Sequence, residues 1–217
     1  MQTHQILSYI APGDIVFDIG ANIGDKANMI LNVVQARLVC VEPQPKCVAI
    51  LLERFGKNPD VTIVPSGVAS RDDIGNLSIC ESNDTLSTFS EKWKQGRFKN
   101  EQWTQTATVD MVRLDTLVEQ YGNPRFCKID VEGFEIEVLL GLSKKIGIIS
   151  FEFTSEFIDD CFVCIQCLIS LGYRYFNLSL GETPTLYYPK FVKFEEIIQL
   201  LYNSRNNQGL WGDIYAS

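Results

Sequence analysis

Residues 15–27 read IVFDIGANIGDKA. A β-branched apolar run ends in an aspartate, and Gly20 and Gly24 follow within six residues of it. The pattern predicts a buried strand that turns sharply into a helix, since glycine tolerates the backbone angles of such a turn and lets a ligand approach the chain closely. Ala27, Ile30, Leu31 and Val34 then recur at helical spacing as far as about Gln35. ARLVCVE at 36–42 is a second strand, Pro43 and Pro45 open a helix through Phe55, and VTIVPS at 61–66 is a third strand. After a break come LDTLVEQYG as helix and RFCKID at 125–130 as a fourth strand. EGFEIEVLLGL is helical, IGIISFEF at 146–153 is a fifth strand, and a helix spans 155–171. YRYFNLSL, FEEIIQLLYN and LWGDIYA at 210–216 complete the series as strand, helix and strand. Such alternation implies a parallel sheet with helices on both faces, with ligands at the carboxyl ends of the strands where the strand order reverses. GNLSIC at 75–80 and TATVDMVR at 106–113 are two further strands outside the alternation, and residues 3–11 form a short leading helix.

The 217 residues suit one substantial domain, and no repeat, low-complexity tract or composition break divides 1–217. With 46% hydrophobic and 21% charged residues the chain is of the globular class. No apolar run approaches the roughly 20 residues of a membrane span. A net charge of −8 argues against a nucleic-acid partner, which would need clustered cations; KWKQGRFK at 92–99 is the one short basic patch. The first residues, MQTHQILSYIAPGD, lack the basic and apolar regions of a signal peptide. Seven cysteines, an odd number scattered through apolar runs, read as reduced thiols and a cytoplasmic location. CFVCIQC has the spacing of an iron–sulfur site, but no fourth cysteine follows at a fitting distance and the segment reads as helix, so these are core-facing thiols. His4 is the only histidine, which excludes a catalytic histidine pair or a histidine-based metal site.

The glycine turn narrows the ligand. A dinucleotide fingerprint G-x-G-x-x-G would need glycine at 22 and 25, where the chain has Asn22 and Asp25. Asp18 just before the turn and Asp25 just after it would face a pyrophosphate with two carboxylates, so a ligand with a positive group such as an α-ammonium is favoured. Glu42 ends the second strand, where an acidic side chain accepts hydrogen bonds from ribose hydroxyls. An amino-acid ammonium near Asp18 together with a ribose at Glu42 describes S-adenosylmethionine. The competing reading is a tight strand–helix turn with no ligand.

FDIGANIGDKA, followed by CVEPQP, KIDVEGFEIEVLLGL, SFEF and LWGDIYA, resembles the FkbM family of S-adenosylmethionine-dependent methyltransferases from about Asp14 to Ala216. The first motif is shared loosely by many methyltransferases; KIDVEGFE is specific to this family and its close relatives. The resemblance implies a Rossmann-like class I methyltransferase fold, a seven-stranded and mostly parallel sheet with the last strand antiparallel. It also implies S-adenosylmethionine across the ends of strands one to four, and methyl transfer to a hydroxyl of a small molecule or glycan. By position, Asp18, Gly20, Asn22 and Gly24 belong to the glycine-turn motif, Glu42 is the ribose ligand, and Gly67 and Val68 lie near the adenine. DVEGF stands where enzymes that methylate base or amide nitrogens carry an (Asp/Asn)-Pro-Pro-aromatic turn, which by analogy favours oxygen.

Methyl transfer is an in-line displacement, so the protein must align the acceptor oxygen and exclude water. A hydroxyl has a high pKa, and a base adds roughly 10²–10⁴-fold. Asp130, Glu132 and Glu152, at the ends of strands four and five, are the candidates in that order. Alternatively Asp130 bonds the cofactor's methionine end, Glu132 caps the helix opening at Gly133, and Lys128 forms a structural ion pair with one of these carboxylates. The three carboxylates together would also suit a divalent ion that orients two acceptor oxygens, although nothing in their spacing requires a metal. Residues 81–103 interrupt the alternation and carry Trp93, Phe98 and Trp103 among polar side chains, which suits an acceptor flap as much as a hairpin with packed aromatics. Two other functions fit the same sheet: a nicotinamide-dependent oxidoreductase, and a non-catalytic module that binds S-adenosylmethionine. Acceptor identity and oligomeric state are not legible.

Overall fold

The computed structural model describes residues 5–95, 98–207 and 209–217. His4 and two residues of the basic patch, Gly96 and Arg97, therefore lie outside the described residues. The chain runs β1 (Ile15–Ile19), α1 (Asp25–Val34), β2 (Arg37–Val41), α2 (Pro45–Phe55) and β3 (Val61–Val64). A small excursion follows: β4 (Gly67–Val68), β5 (Asp73–Cys80) and β6 (Trp103–Val112). The alternation resumes with α3 (Leu114–Tyr121), β7 (Phe126–Ile129), α4 (Glu135–Leu140), β8 (Ile148–Thr154) and α5 (Ile158–Ser170). It closes with β9 (Tyr175–Leu180), β10 (Val192–Lys193), α6 (Phe194–Ser204) and β11 (Trp211–Ala216).

The main sheet has the order β10-β9-β11-β8-β7-β1-β2-β3. β3, β2, β1, β7 and β8 pair in parallel, while β11 inserts antiparallel between β8 and β9. This is the expected seven-stranded arrangement with a two-residue edge strand, β10, added beyond β9. The strand expected over 61–66 is shorter: Pro65 cannot donate to a ladder and β3 stops at Val64. Beyond it Gly67–Val68 pairs with β6 in a second, three-stranded sheet. The leading helix is a short 3-10 turn over Gln5–Tyr9.

Alternation along each strand divides the core into two layers. Phe17, Ile19, Val39, Val41, Ile129 and Phe151 face α3, α4, α5 and α6. Val16, Leu38 and Cys40 face α1 and α2 through Ala27, Ile30, Leu51 and Phe55. Val16, Phe17 and Ile19 are at most 1% exposed, and each such side chain contributes roughly 1.5–3 kcal/mol of burial. Asp18 shares the face of Val16, so the chain plants a carboxylate in an apolar layer. Cys161 and Cys164 are buried on α5 and all seven cysteines are free thiols. Because β2 and β7 flank β1 on opposite sides, the strand order reverses there, and the crevice above the carboxyl ends of β1 and β7 is the ligand position of such sheets.

Candidate active site

A cleft of about 690 Å³, its mouth included, opens at that reversal. Ile19, Gly20 and Asn22 line it from the glycine turn, Glu42 and Gln44 from the end of β2, and Ser66, Gly67 and Val68 from beyond β3. Asp130, Val131, Glu132 and Phe134 close it from the end of β7, and Thr85, Ser87 and Phe89 overhang it from the excursion.

Gly20 shows why the turn needs glycine. Its φ is +78°, and a Cβ there would stand 1.8 Å from the Asp130 carbonyl oxygen. The Gly20 and Ala21 amides donate to the Val41 carbonyl, and the Asp130 amide donates to that of Ile19 at 3.0 Å, so three strand ends are laced at one point. Gly24 plays a different part. It lies outside the cleft lining and packs under α2, where a Cβ would meet Phe55 and Leu51 within 2.7 Å.

Glu42 is 6% exposed and its two carboxylate oxygens accept from the Asn22 and Gln44 amides, each at 2.8 Å. Burial pushes its carboxyl up to about 7, against the pull of those two amides. Each oxygen keeps a second lone pair, so the carboxylate can still accept from hydroxyls in the cleft. Ser66 is 4% exposed and its hydroxyl has no partner, an orphan that a heteroatom of a bound ligand would satisfy. The spare lone pairs of Glu42, the orphan Ser66 hydroxyl and the apolar Val41, Leu77 and Phe89 in the same cleft suit the hydroxyls and base of a nucleoside.

Asp18 is beneath the cleft, fully buried, with the Lys128 ammonium 3.5 Å away and no hydrogen-bond partner. Lys128 is bonded to Asp130 at 3.0 Å instead. Burial would lower the Lys128 ammonium, but Asp130 and Asp18 outweigh it and hold it above the usual lysine range. Burial likewise raises the Asp18 carboxyl, with Lys128 opposing. Lys128 is thus the cation that lets two carboxylates sit on adjacent strands.

Asp130, Glu132 and Glu152 converge, with one oxygen from each lying within 4.8 Å of the others. Glu132 sits at φ +55°, an uncommon conformation for a side-chain-bearing residue, and its carbonyl accepts from Thr88 Oγ1 at 2.6 Å. Neither glutamate caps α4, whose N-cap is Phe134 with no side-chain hydrogen bond; the Glu135 carboxylate folds back and accepts from the loop amides of Val131 and Gly133 at 3.2 and 3.3 Å. Burial, then Asp130 and Glu152, push the Glu132 carboxyl well up. Glu152 is raised to about 9 by burial and by Asp130. Asp213 of β11, opposite Glu152 in register, is raised to about 6, again first by burial. Oxygen donors of this kind suit a hard divalent ion.

The profile of the methyltransferase FkbM domain matches residues 18–208. The chain belongs to the FkbM methyltransferase family. A curated relative, hexuronic acid methyltransferase AglP of Haloferax volcanii, is 26% identical over 140 residues, which are 64% of this chain and 54% of the relative. The chain therefore spans about half the length of the curated relative it matches. Among solved structures, precorrin-6y C5,15-methyltransferase from Geobacter metallireducens superposes with a TM-score of 0.52 at 13% identity, over 97% of this chain and 84% of that one. That likeness establishes the fold, a Rossmann-like class I methyltransferase, and family membership removes the oxidoreductase reading. Among the described residues no helix is long and apolar enough to cross a membrane.

Of the residues expected from sequence to hold the cofactor, the cleft brings together Gly20, Asn22, Glu42, Gly67, Val68 and Asp130, whereas Asp18 and Gly24 support it from below and behind. Ser66, Gln44, Thr85, Ser87 and Phe89 join the lining without a motif to announce them. Within the flap, Trp103 donates its indole N–H to the Leu86 carbonyl at 3.2 Å and Phe98 packs on Trp93, so both aromatics serve the flap's own packing.

Proposed function

We propose that this domain transfers the methyl group of S-adenosylmethionine to a hydroxyl oxygen of a small molecule or glycan. The observation that carries the reading is the two-ended cleft: a ribose-accepting carboxylate, Glu42, at one end and the converging Asp130, Glu132 and Glu152 at the other. When bound, the cofactor supplies a methyl carbon already activated by a sulfonium.

The residues of the chain do the rest. Glu42 and Ser66 hold the nucleoside, and the cleft walls exclude water from the methyl. Asp130, anchored by Lys128, fixes the floor on which the acceptor stands. Glu132 would take the proton of the acceptor hydroxyl as that oxygen accepts the methyl group. Its raised pKa makes it a better base than an ordinary carboxylate. This convergence supports a catalyst over a binding-only module, because cofactor binding alone would not require three carboxylates beside the methyl end.

The relative's hexuronic acid makes hexuronosides the first acceptors to test. Such a sugar offers a carboxylate oxygen as well as hydroxyls, and the acidic surroundings favour the hydroxyl.

S-adenosylhomocysteine at a hundredfold over its Kd should add about 2.7 kcal/mol and raise Tm by roughly 5–10 °C, with no rise from NAD. Labelled methyl transfer to hexuronosides should then give a product stable to mild alkali, as an ether is and an ester is not. E132Q should lose about 10²–10⁴-fold in rate while keeping its S-adenosylhomocysteine affinity. A rise with NAD alone, or an alkali-labile product, would defeat the proposal.

A further inference from the structure

Three non-glycine residues among the described ones have a positive φ: Asn22, Gln35 and Glu132. Asparagine tolerates that region, and Gln35 ends α1, where a left-handed residue is usual. Glu132 has neither reason. At φ +55° it is followed by Gly133 at +84°, so two successive left-handed residues turn the chain between β7 and α4. Backbone of this kind persists only where its surroundings over-determine it.

Here they do so on both flanks of Glu132. One oxygen of Glu135, Oε1, accepts from the Val131 amide at 3.2 Å and from the Gly133 amide at 3.3 Å, the residues immediately before and after Glu132. Glu135 is the first residue of α4, whose Val138 and Leu139 are buried in the core, so the oxygen is offered from an anchored support. The Glu132 carbonyl is held separately, by Thr88. Trp93 lies against Gly133, where a Cβ would stand 2.7 Å from the ring, and leaves the loop no room on that side. Asp130, Val131, Glu132 and Phe134 line the cleft, whereas Glu135 bonds the loop without joining the lining. Released to an ordinary helical backbone, Glu132 would turn its φ by roughly 120° and carry its carboxylate away from Asp130 and Glu152.

Resting on the reading of Glu132 as the base of methyl transfer, we infer that Glu135 is a positioning residue: its Oε1, bridging the amides on either side of Glu132, holds that carboxylate toward the acceptor oxygen. The role belongs to the place of one oxygen and not to the negative charge, because a single acceptor atom serves both amides.

Two variants of the full chain separate oxygen from charge. E135Q keeps an oxygen in place and removes the charge; E135D keeps the charge and withdraws the oxygen by one methylene. With labelled S-adenosylmethionine and the methyl glycoside of glucuronic acid, E135Q should retain the parent's kcat. E135D should lose about 10²-fold, on kcat and not on the acceptor KM, while S-adenosylhomocysteine affinity holds in both. In an E132Q background E135D should cost nothing further, because a residue that acts through Glu132 has nothing left to align. Hydrogen exchange of the Val131 and Gly133 amides, followed by NMR on the S-adenosylhomocysteine complex, reads the same brace without turnover. Both amides should be protected in the parent and in E135Q and should exchange about tenfold faster in E135D. Equal losses of kcat in E135Q and E135D, additive losses in the E132Q background, or unchanged exchange in E135D would each overturn the inference. So would a loss of S-adenosylhomocysteine affinity in E135D, which would make Glu135 a general support of the cleft. The expected exchange pattern in a protein that transfers no methyl would uphold the brace and place the failure in the methyl-transfer reading.

Discussion

Raising the pH from 5 to 8 should weaken the ligand-free protein, and Glu42 shows why. Its carboxyl is 6% exposed and shifted from an ordinary 4.5 to about 7, with burial as the largest cause. As pH rises past 4.5 the unfolded chain releases this proton, whereas the folded chain keeps it until about 7. The folded state therefore binds more protons across that window, and stability falls as pH rises. The contribution is complete below 4.5 and gone once the pH has passed through about 7. At about 1.36 kcal/mol per unit, the shift corresponds to roughly 3 kcal/mol. For a chain of this length that lowers Tm by roughly 6–12 °C. Glu135, raised to about 7, and Asp213, raised to about 6, act in the same direction, both chiefly through burial. The assay is thermal unfolding between pH 5 and 8 at constant ionic strength, for the parent and E42Q. The general self-repulsion of a chain carrying −8 has the same sign, so the variant is the discriminating arm. E42Q cannot titrate at this position, and its pH slope should be shallower by the equivalent of about one proton. It should also be less stable at pH 5, because an amide has one oxygen for the two backbone N–H groups that the carboxyl serves. A Tm that is flat or rises toward pH 8, or an E42Q slope equal to the parent's, would refute the reasoning.

Three further outcomes follow from the same geometry. G20A puts a methyl 1.8 Å from the Asp130 carbonyl in a left-handed backbone, so denaturant unfolding should show a loss of about 2–5 kcal/mol, and calorimetry no S-adenosylhomocysteine binding. K128M leaves Asp18 buried without its cation and should cost about 3–5 kcal/mol, read from urea midpoints; adding D18N should restore part of the loss, and no restoration would mean that Lys128 acts otherwise. T88V removes the 2.6 Å hydrogen bond that tethers the flap to the Glu132 carbonyl, at about 1 kcal/mol, and should raise the acceptor KM while S-adenosylhomocysteine affinity stays constant.

The sheet was legible because its signals are local. A strand buried on both faces must be continuously apolar, and IVF and LVCV are. A turn that brings β1 to within contact of the β7 end must carry glycine, and Gly20 does. Local signals also explain the errors. Proline at 65 stands inside a run read as one strand to 66, and the strand ends before it at Val64; only the partner, β6, makes a strand of Gly67–Val68. β10 is two residues long and exists only because β9 offers an edge.

The site divides along the same line. Glu42, Asp130 and Glu152 end strands, and the ends of parallel strands at a reversal are where ligands meet the chain, so their position in sequence carries their role. Asp18 stands beside the glycine turn in sequence, but alternation along β1 turns its side chain down toward Lys128, and adjacency in the chain is no guide to the direction of a carboxylate. The part of Glu135 was equally hidden: a helix expected to open at Gly133 begins at Glu135 without a side-chain cap, and the Glu135 carboxylate instead ties the loop amides of Val131 and Gly133. Ser66 belongs to a residue type that occurs everywhere. What singles its hydroxyl out is the absence of a partner, a property of the packed interior that no spacing encodes. An unpaired buried atom costs stability, and Ser66 in the cleft wall is stabilised when a bound heteroatom meets its hydroxyl.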